Sequence, residues 1–417
     1  MKLYLVELKR QLTSKMVRIL ILSCFIITLL LSYFPIFYIE YTYLANTGTE
    51  ITVNGINAIS MRKDNWKEYT GSISPEKIAS ALSQYQGSMK QYGEDGIFTG
   101  KMPRSEYSQK IEPIYRWIYR LREVYASPQT GIAPDILNLS EDNALNFYNQ
   151  CYQRLDTLMD MEQGEHPSAQ EQAKSLYKNV GMPFTYYPGI DGAVLDYLAL
   201  LIFILVIVGV VIVAPVFSGE YQSGSDQILR CTKHGTNKLA SAKIKAGLSI
   251  VILLYLICVA VFILIENSCF GWESCKTSIQ VAFSATSFLP INIGQMEVLV
   301  IFAGLLALIA TTSCVLYLSS RLSSAYITTA IALLICFSPM FFTMIISGNF
   351  GMWIRCILPT GGVGLSNSIL YELTDTNFIY AGSLSIWLPF ALLIANIMET
   401  PMFVGLAHYS YRSHKTN

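Results

Sequence analysis

An all-α polytopic membrane protein is predicted, with six transmembrane helices and a mainly helical extracytoplasmic domain inserted between the first and second spans. Three observations predict it. Of 417 residues, 52% are hydrophobic and only 14% charged, too few charges to cover a water-facing surface throughout. The apolar residues are gathered in runs near 19–39, 193–216, 246–266, 295–319, 324–346 and 386–408. At about 1.5 Å of rise per residue, runs of roughly 20 cross about 30 Å of hydrocarbon. Finally, the polar stretch between the first two runs is long enough to be a domain of its own.

In chain order, residues 1–18 read as an amphipathic helix lying along the inner leaflet. Leu5, Leu8, Leu12 and Met16 fall on one face of it, with Lys9, Arg10 and Lys15 on others. The first span, 19–39, has too long an apolar run and too few small residues at its end for a cleaved signal peptide, so an uncleaved anchor is expected. Positive charge sets the orientation. The N-terminal segment holds Lys2, Lys9, Arg10, Lys15 and Arg18 against the single acid Glu7; segment 218–245 holds Arg230, Lys233, Lys238, Lys243 and Lys245 against Glu220 and Asp226. Arg321 occupies the turn after the fourth span, and Arg412 and Lys415 the tail. Six spans put all four segments on one side, and that side is expected to be cytoplasmic. Both termini then face the cytoplasm of a cell, expected to be bacterial, and the 40–192 domain faces outward.

Helix signals dominate that domain. Ser74-Pro75-Glu76 reads as an N-cap followed by proline at the first helical position, and Ser168 to Glu171 as a capping box. Ile111, Ile114, Tyr115, Ile118, Leu121 and Tyr125 form one apolar stripe. Leu145, Tyr148, Tyr152, Leu155 and Met159 form a second, with Ser140 as its cap. Tyr186, Tyr187 and Tyr197 suit the headgroup level. Residues 193–417 form a five-span membrane domain. Its segment 347–385 is too short in its apolar pieces and too interrupted by Gly and Pro to cross, and is expected to be re-entrant or surface-lying.

Catalytic patterns are absent from the sequence. There is no His-Glu-x-x-His, no Gly-x-Ser-x-Gly and no Gly-x4-Gly-Lys-Ser/Thr loop to hold nucleotide phosphates. Zero net charge gives no bulk electrostatic case for nucleic acid. No cofactor or metal site is expected on this chain, and Asp156, Asp160, Glu162 and Glu165 read as a solvated helix end. Glu399 lies about 18 Å along its helix from both Trp387 and Tyr411, near the bilayer midplane, with Asn396 one turn earlier. Such a carboxylate either lines a translocation path or bonds to a neighbouring helix. Asp196, Glu266 and Glu297 lie at span ends, where access to water would account for them. Cys269 and Cys275, in SCFGWESC, are open to a disulfide or to two separate thiols.

The most informative stretch is the loop 218–245, SGEYQSGSDQILRCTKHGTNKLASAKIK, which reads as a short helix, a Gly-containing turn and a return helix. Its Glu220, Gly224, Leu229, Gly235, Lys238 and Lys243 resemble the coupling loop in permease subunits of type-2 ATP-binding-cassette exporters, with Thr236-Asn237 where many members carry an arginine. The layout of amphipathic helix, one span, outside insertion and five spans is similar to that family over essentially the full chain. The resemblance implies a lipid-embedded dimer with a second permease copy or a related permease. It also implies separate ATPase subunits below, which carry the ATP and magnesium, and outward movement of a hydrophobic or amphipathic cargo such as a peptide, lipid or drug. A membrane sensor or immunity-type receptor, binding an external ligand through 40–192, is the alternative.

Overall fold

The computed structural model describes residues 2–93, 101–190, 192–232, 235–346, 348–365 and 367–414. Lys233 and Lys415, read above as parts of basic segments, lie outside the described residues. Six helices are long and apolar enough to cross a membrane. The first span is Lys15–Phe37 and the second is Gly192–Val213, which continues past Ala214 into Pro215–Ser223. The third is Asn237–Phe270, the fourth Ile293–Arg321, the fifth Ala325–Ile345 and the sixth Leu388–Ser413. Hydropathy marks the hydrocarbon-crossing run and not the helix. The third span therefore begins well before the apolar run, through Lys238 and Lys243, because its backbone ladder continues beyond the lipid.

The second and fourth spans form the centre: 72% and 61% of their most apolar stretches are buried, against 22% for the fifth and 28% for the sixth. Apolar side chains on the outer spans therefore face lipid, as the shortage of charge required. Close approach at the centre needs small residues. A Cβ at Gly304 would meet the Tyr255 hydroxyl at 2.6 Å and Ile202 at 2.7 Å, so the second, third and fourth spans meet at that glycine.

The two ends of the spans differ in what they carry. One end gathers the N-terminal helix Lys2–Thr13, the loop after the second span and the end of the sixth span. At the other end, the inserted domain is built on helices Ile56–Asn65, Pro75–Tyr92, Glu112–Val124, Phe147–Gln163 and Pro167–Tyr177. Ser74 caps its helix as expected, accepting from the Lys77 amide at 3.4 Å with Pro75 at the first position. Ile111, Ile114, Ile118 and Leu121 are buried, together with Trp117 and Val124, whereas Tyr115 is exposed.

Several local expectations are corrected. Ser140 caps only a short helix, Glu141–Leu145, in a box with Asn143; the next helix starts after Asn146 and buries Phe147, Cys151, Leu155 and Met159, leaving Leu145 and Tyr152 exposed. Ser168 caps nothing, because Pro167 opens that helix and His166 stands at its N-cap position. Its hydroxyl instead bonds Ser385 at 2.6 Å. Tyr186 is buried against Trp117 rather than lying at a headgroup level, in a short pairing of Thr185–Tyr186 with Gly71–Ser72. Glu266 and Glu297 are buried, not open to water, and Asn267 donates to Glu297 at 3.2 Å. The helix end 156–165 does read as expected: Asp156, Asp160, Glu162 and Glu165 are all exposed, with Asp156 paired to Lys174 and Glu162 accepting from Thr376.

Segment 347–385 folds around a buried cation. Arg355, on helix Gly348–Ile357, donates to the Gly361 and Asn367 carbonyls at 2.6 and 2.7 Å and pairs with Glu372 at 2.5 Å. Every face of the guanidinium thus has a partner, as burial demands. A hairpin that the sequence reading had missed follows, Phe378–Ala381 antiparallel to Leu384–Trp387, turning at Gly382 with φ +63°. It docks on the inserted domain: Tyr380 stacks on His166 at 3.5 Å and hydrogen-bonds Gln163, and Gln172 donates to the Ser385 carbonyl at 2.9 Å.

Candidate coupling site at the loop end

Helix Pro215–Ser223 ends because Gly224 adopts φ +70°, a left-handed geometry that a side chain resists. The chain turns there into the short helix Ser225–Arg230. The turn leaves Glu220 pointing inward, only 5% exposed, where it pairs with Lys243 on the third span. Lys243 has no exposed surface at all. Two residues of the N-terminal helix complete the group: Glu7, 3.5 Å from Lys243 and 2.8 Å from Arg10, and Arg10, which also pairs with Glu220. Two carboxylates and two cations are thereby balanced, which is what makes the burial of Glu7, Glu220 and Lys243 tolerable, Arg10 itself staying exposed.

The N-terminal helix lies against the third span by its polar face. Tyr4 donates to Ser249 at 3.0 Å, and Glu7 is buried, while Leu5, Val6 and Leu12 are exposed. Leu5 and Leu12 of the expected stripe thus point away from the protein, the orientation of a helix seated in a bilayer surface. Leu8 is the exception and packs on the core.

A second grip holds the far end of the loop. Arg230 donates to the carbonyls of Tyr411 and His414 at 2.7 and 3.0 Å, and its guanidinium lies 4.3 Å over the Tyr411 ring. Asp226 stands 3.6 Å from it. Tyr221 stacks on His414 at 4.3 Å, and His408 contacts the Asn237 carbonyl at 3.2 Å. Helix Pro215–Ser223 is therefore fixed to the N-terminal helix and third span, and the following helix Ser225–Arg230 to the end of the sixth span. Beside the first of these helices a concavity of about 300 Å³ opens between Arg10, Ser14, Pro215, Gly219 and Ser223.

The six residues singled out from the loop divide into three kinds. Glu220 and Lys243 meet directly. Gly224 and Gly235 shape the backbone: a Cβ at Gly235 would collide with the Leu229 carbonyl, which already accepts from Thr232, and Leu229 itself is half-buried. Lys238 remains exposed. Glu7 and Arg10 escaped attention as site residues, although a lone acid three positions before an arginine in an otherwise basic segment was a visible signal. Arg230, Tyr411 and His414 were not connected either, since nothing local joins the loop to a tail about 180 residues later.

The remaining candidates are not brought to this site. Asn396 and Glu399 are buried within the sixth span, and Glu399 Oε2 has no hydrogen-bond partner among the described residues. Cys269 and Cys275 are both free, half-buried thiols and form no disulfide. Cys269 ends the third span beneath Lys63, and Cys275 lies in the next turn against Gly294, so the two are held by different neighbours.

Residues 1–369 match the model of a family described as ABC-2 family transporter protein. A comparison with curated proteins returns no match.

Proposed function

The chain belongs to the ABC-2 family of transporter proteins, and from that premise we propose that it is the permease subunit of an ATP-driven exporter whose loop end faces the cytoplasm. A separate cassette ATPase docks there and hydrolyses the ATP with its own magnesium; a second permease copy or a related permease completes the membrane pore. The cargo is a hydrophobic or amphipathic molecule moved outward. One observation carries this reading: the loop is gripped at both of its helices, Pro215–Ser223 through Glu220 by the N-terminal helix and third span, and Ser225–Arg230 through Arg230 by the end of the sixth span. A displacement of the loop is then transmitted to three membrane helices as rigid bodies. The concavity beside Arg10 and Gly219 gives a partner element a place to seat, and exposed Lys238 offers it a charge.

Co-expression with a cassette ATPase, followed by co-purification and ATPase assay in nanodiscs, tests this. The permease alone is expected to show no hydrolysis, the complex to be active, and Lys238→Glu to weaken co-purification without lowering the melting temperature of the permease. A chain that binds no such ATPase, yet binds an external ligand through the inserted domain, overturns the exporter in favour of a receptor.

A further inference from the structure

The second span does not run into the loop unbroken. Its regular part ends at Val213, and Pro215, which has no amide hydrogen to donate, opens the continuation Pro215–Ser223 that carries Glu220. A helix that starts afresh leaves the amides of its first turn without partners inside it, and a side-chain oxygen at the position before the helix ordinarily accepts from the second or third of them. Ala214 stands at that position and has no such oxygen. Ser319, near the end of the fourth span, supplies one from a different helix. Its Oγ accepts from the Phe217 amide, third in the helix, at 3.0 Å and from the Ser218 amide at 3.1 Å, and donates to the Ala214 carbonyl at 2.6 Å. Both lone pairs and the proton of the hydroxyl are thereby used. Ala214, Phe217, Ser218 and Ser319 have no exposed surface, so bulk water does not compete for these bonds.

The neighbouring residue extends the contact. The Ser320 carbonyl accepts from the Tyr221 hydroxyl, one turn further along the loop helix, at 3.3 Å and from the Ser410 hydroxyl of the sixth span at 3.2 Å. Helix Pro215–Ser223 is thus bonded sideways to the fourth span at two successive turns, while its backbone joins the second span across a proline break. We propose, as an inference that rests on the exporter reading above, that Ser319 is a positioning residue for coupling. By capping the loop helix from the fourth span it fixes that helix in place, and Ala214–Pro215 is the joint about which the helix turns when the cap opens. Movement of the loop then reaches the fourth span directly through one hydroxyl, and reaches the second span only across the weakened joint.

The test has two arms, both on the full chain. In the first, the permease alone in nanodiscs is followed by amide hydrogen exchange. Ser319→Ala should speed exchange at Phe217 by about tenfold, and Ser319→Thr, which keeps the hydroxyl, should restore protection. Ser313→Ala is the control: Ser313 is as buried as Ser319 and on the same span, but its Oγ has no hydrogen-bond partner among the described residues, so exchange should not change. Pro215→Ala returns an amide to the helix ladder and should shrink the effect of Ser319→Ala on Phe217, which carries the test if threonine does not fit the site. In the second arm, with the cassette ATPase bound, Ser319→Ala should lower kcat for ATP hydrolysis about fivefold, leave KM for ATP and co-purification unchanged, and be rescued by Ser319→Thr. Unchanged Phe217 exchange in a folded Ser319→Ala chain overturns the proposal, as does faster exchange with unchanged kcat, or an equal effect of Ser319→Ala with and without Pro215. Those failures are distinct from failure of the exporter reading, which shows as an unaltered chain that co-purifies with no cassette ATPase.

Discussion

The two ends of this molecule are held together by different physics. At the loop end, three buried charges, an exposed Arg10 paired to two of them and one arginine fork join the N-terminal helix, the loop and the sixth span. At the domain end, the seams are mostly neutral: Ser168 to Ser385, Gln172 to the Ser385 carbonyl, Tyr177 to the Ala285 carbonyl, and the His166–Tyr380 stack. Neutral bonds of this kind contribute about 1 kcal/mol each and fail one at a time. A buried charge group fails as a unit, because removing one member leaves its partner desolvated and unpaired. A small loop can thus be held by few contacts and still be sensitive to any one of them, whereas a large domain tolerates losses at its seams.

The largest effect that would break this comparison is expected at Lys243. Lys243→Met leaves Glu7 and Glu220 buried with only Arg10 and should destabilise the chain by about 3–5 kcal/mol, read as a fall in melting temperature in detergent. Adding Glu220→Gln should recover more than half of that loss; if the double variant is no better than the single one, the charges do not act as a group. Next comes a partly buried carboxyl of the inserted domain. Burial outweighs the nearby Arg62 and pushes Glu112 up to about 7, from about 4.3 in an unfolded chain. Between those values the native state holds more protons, so stability falls as pH rises from about 4.3 to 7 and is level above that. The change is about 3–4 kcal/mol, and Glu112→Gln should abolish it in melting curves taken across that window.

A smaller effect, about 1–2 kcal/mol, is expected for Arg230→Lys, which keeps the charge but loses the fork on two carbonyls and the flat contact with Tyr411. Coupled ATPase activity should fall more than stability does; the reverse order would make the contact merely structural. Smallest is Ser168→Ala, at about 1 kcal/mol, detected as faster hydrogen exchange in the 378–387 hairpin with the loop end unaffected.

The spans were legible because bilayer thickness imposes a run length that composition alone reveals. Gly224 was legible as well, since a turn between two membrane-pressed helices calls for its backbone freedom. The pairing of Glu220 with Lys243 was not: both residues were marked, but only the folded chain brings them into contact and lays the N-terminal helix beside them, adding Glu7 and Arg10. The hairpin at 378–387 escaped for another reason. FIYAGSLSIW has few alternations of apolar and polar residues, and its pairing is stabilised by the inserted domain on which it lies. Ser168 was misread because serine preceding an acid three positions on is a cap only when its backbone precedes the helix, and Pro167 already opens it.

The docking of that hairpin also changes how the inserted domain relates to the membrane. The domain leaves the chain after the first span and returns to it at the second, yet it clasps the segment leading into the sixth. First and sixth spans are thereby closed into a ring through 40–190, a girth that must either travel with them or open at Ser385. If any state of the membrane helices separates those two spans, the domain's occupancy by a ligand and the spacing of the spans become linked equilibria. By reciprocity, whatever tightens the clasp holds the spans together, and whatever parts the spans loosens the clasp by the same free energy.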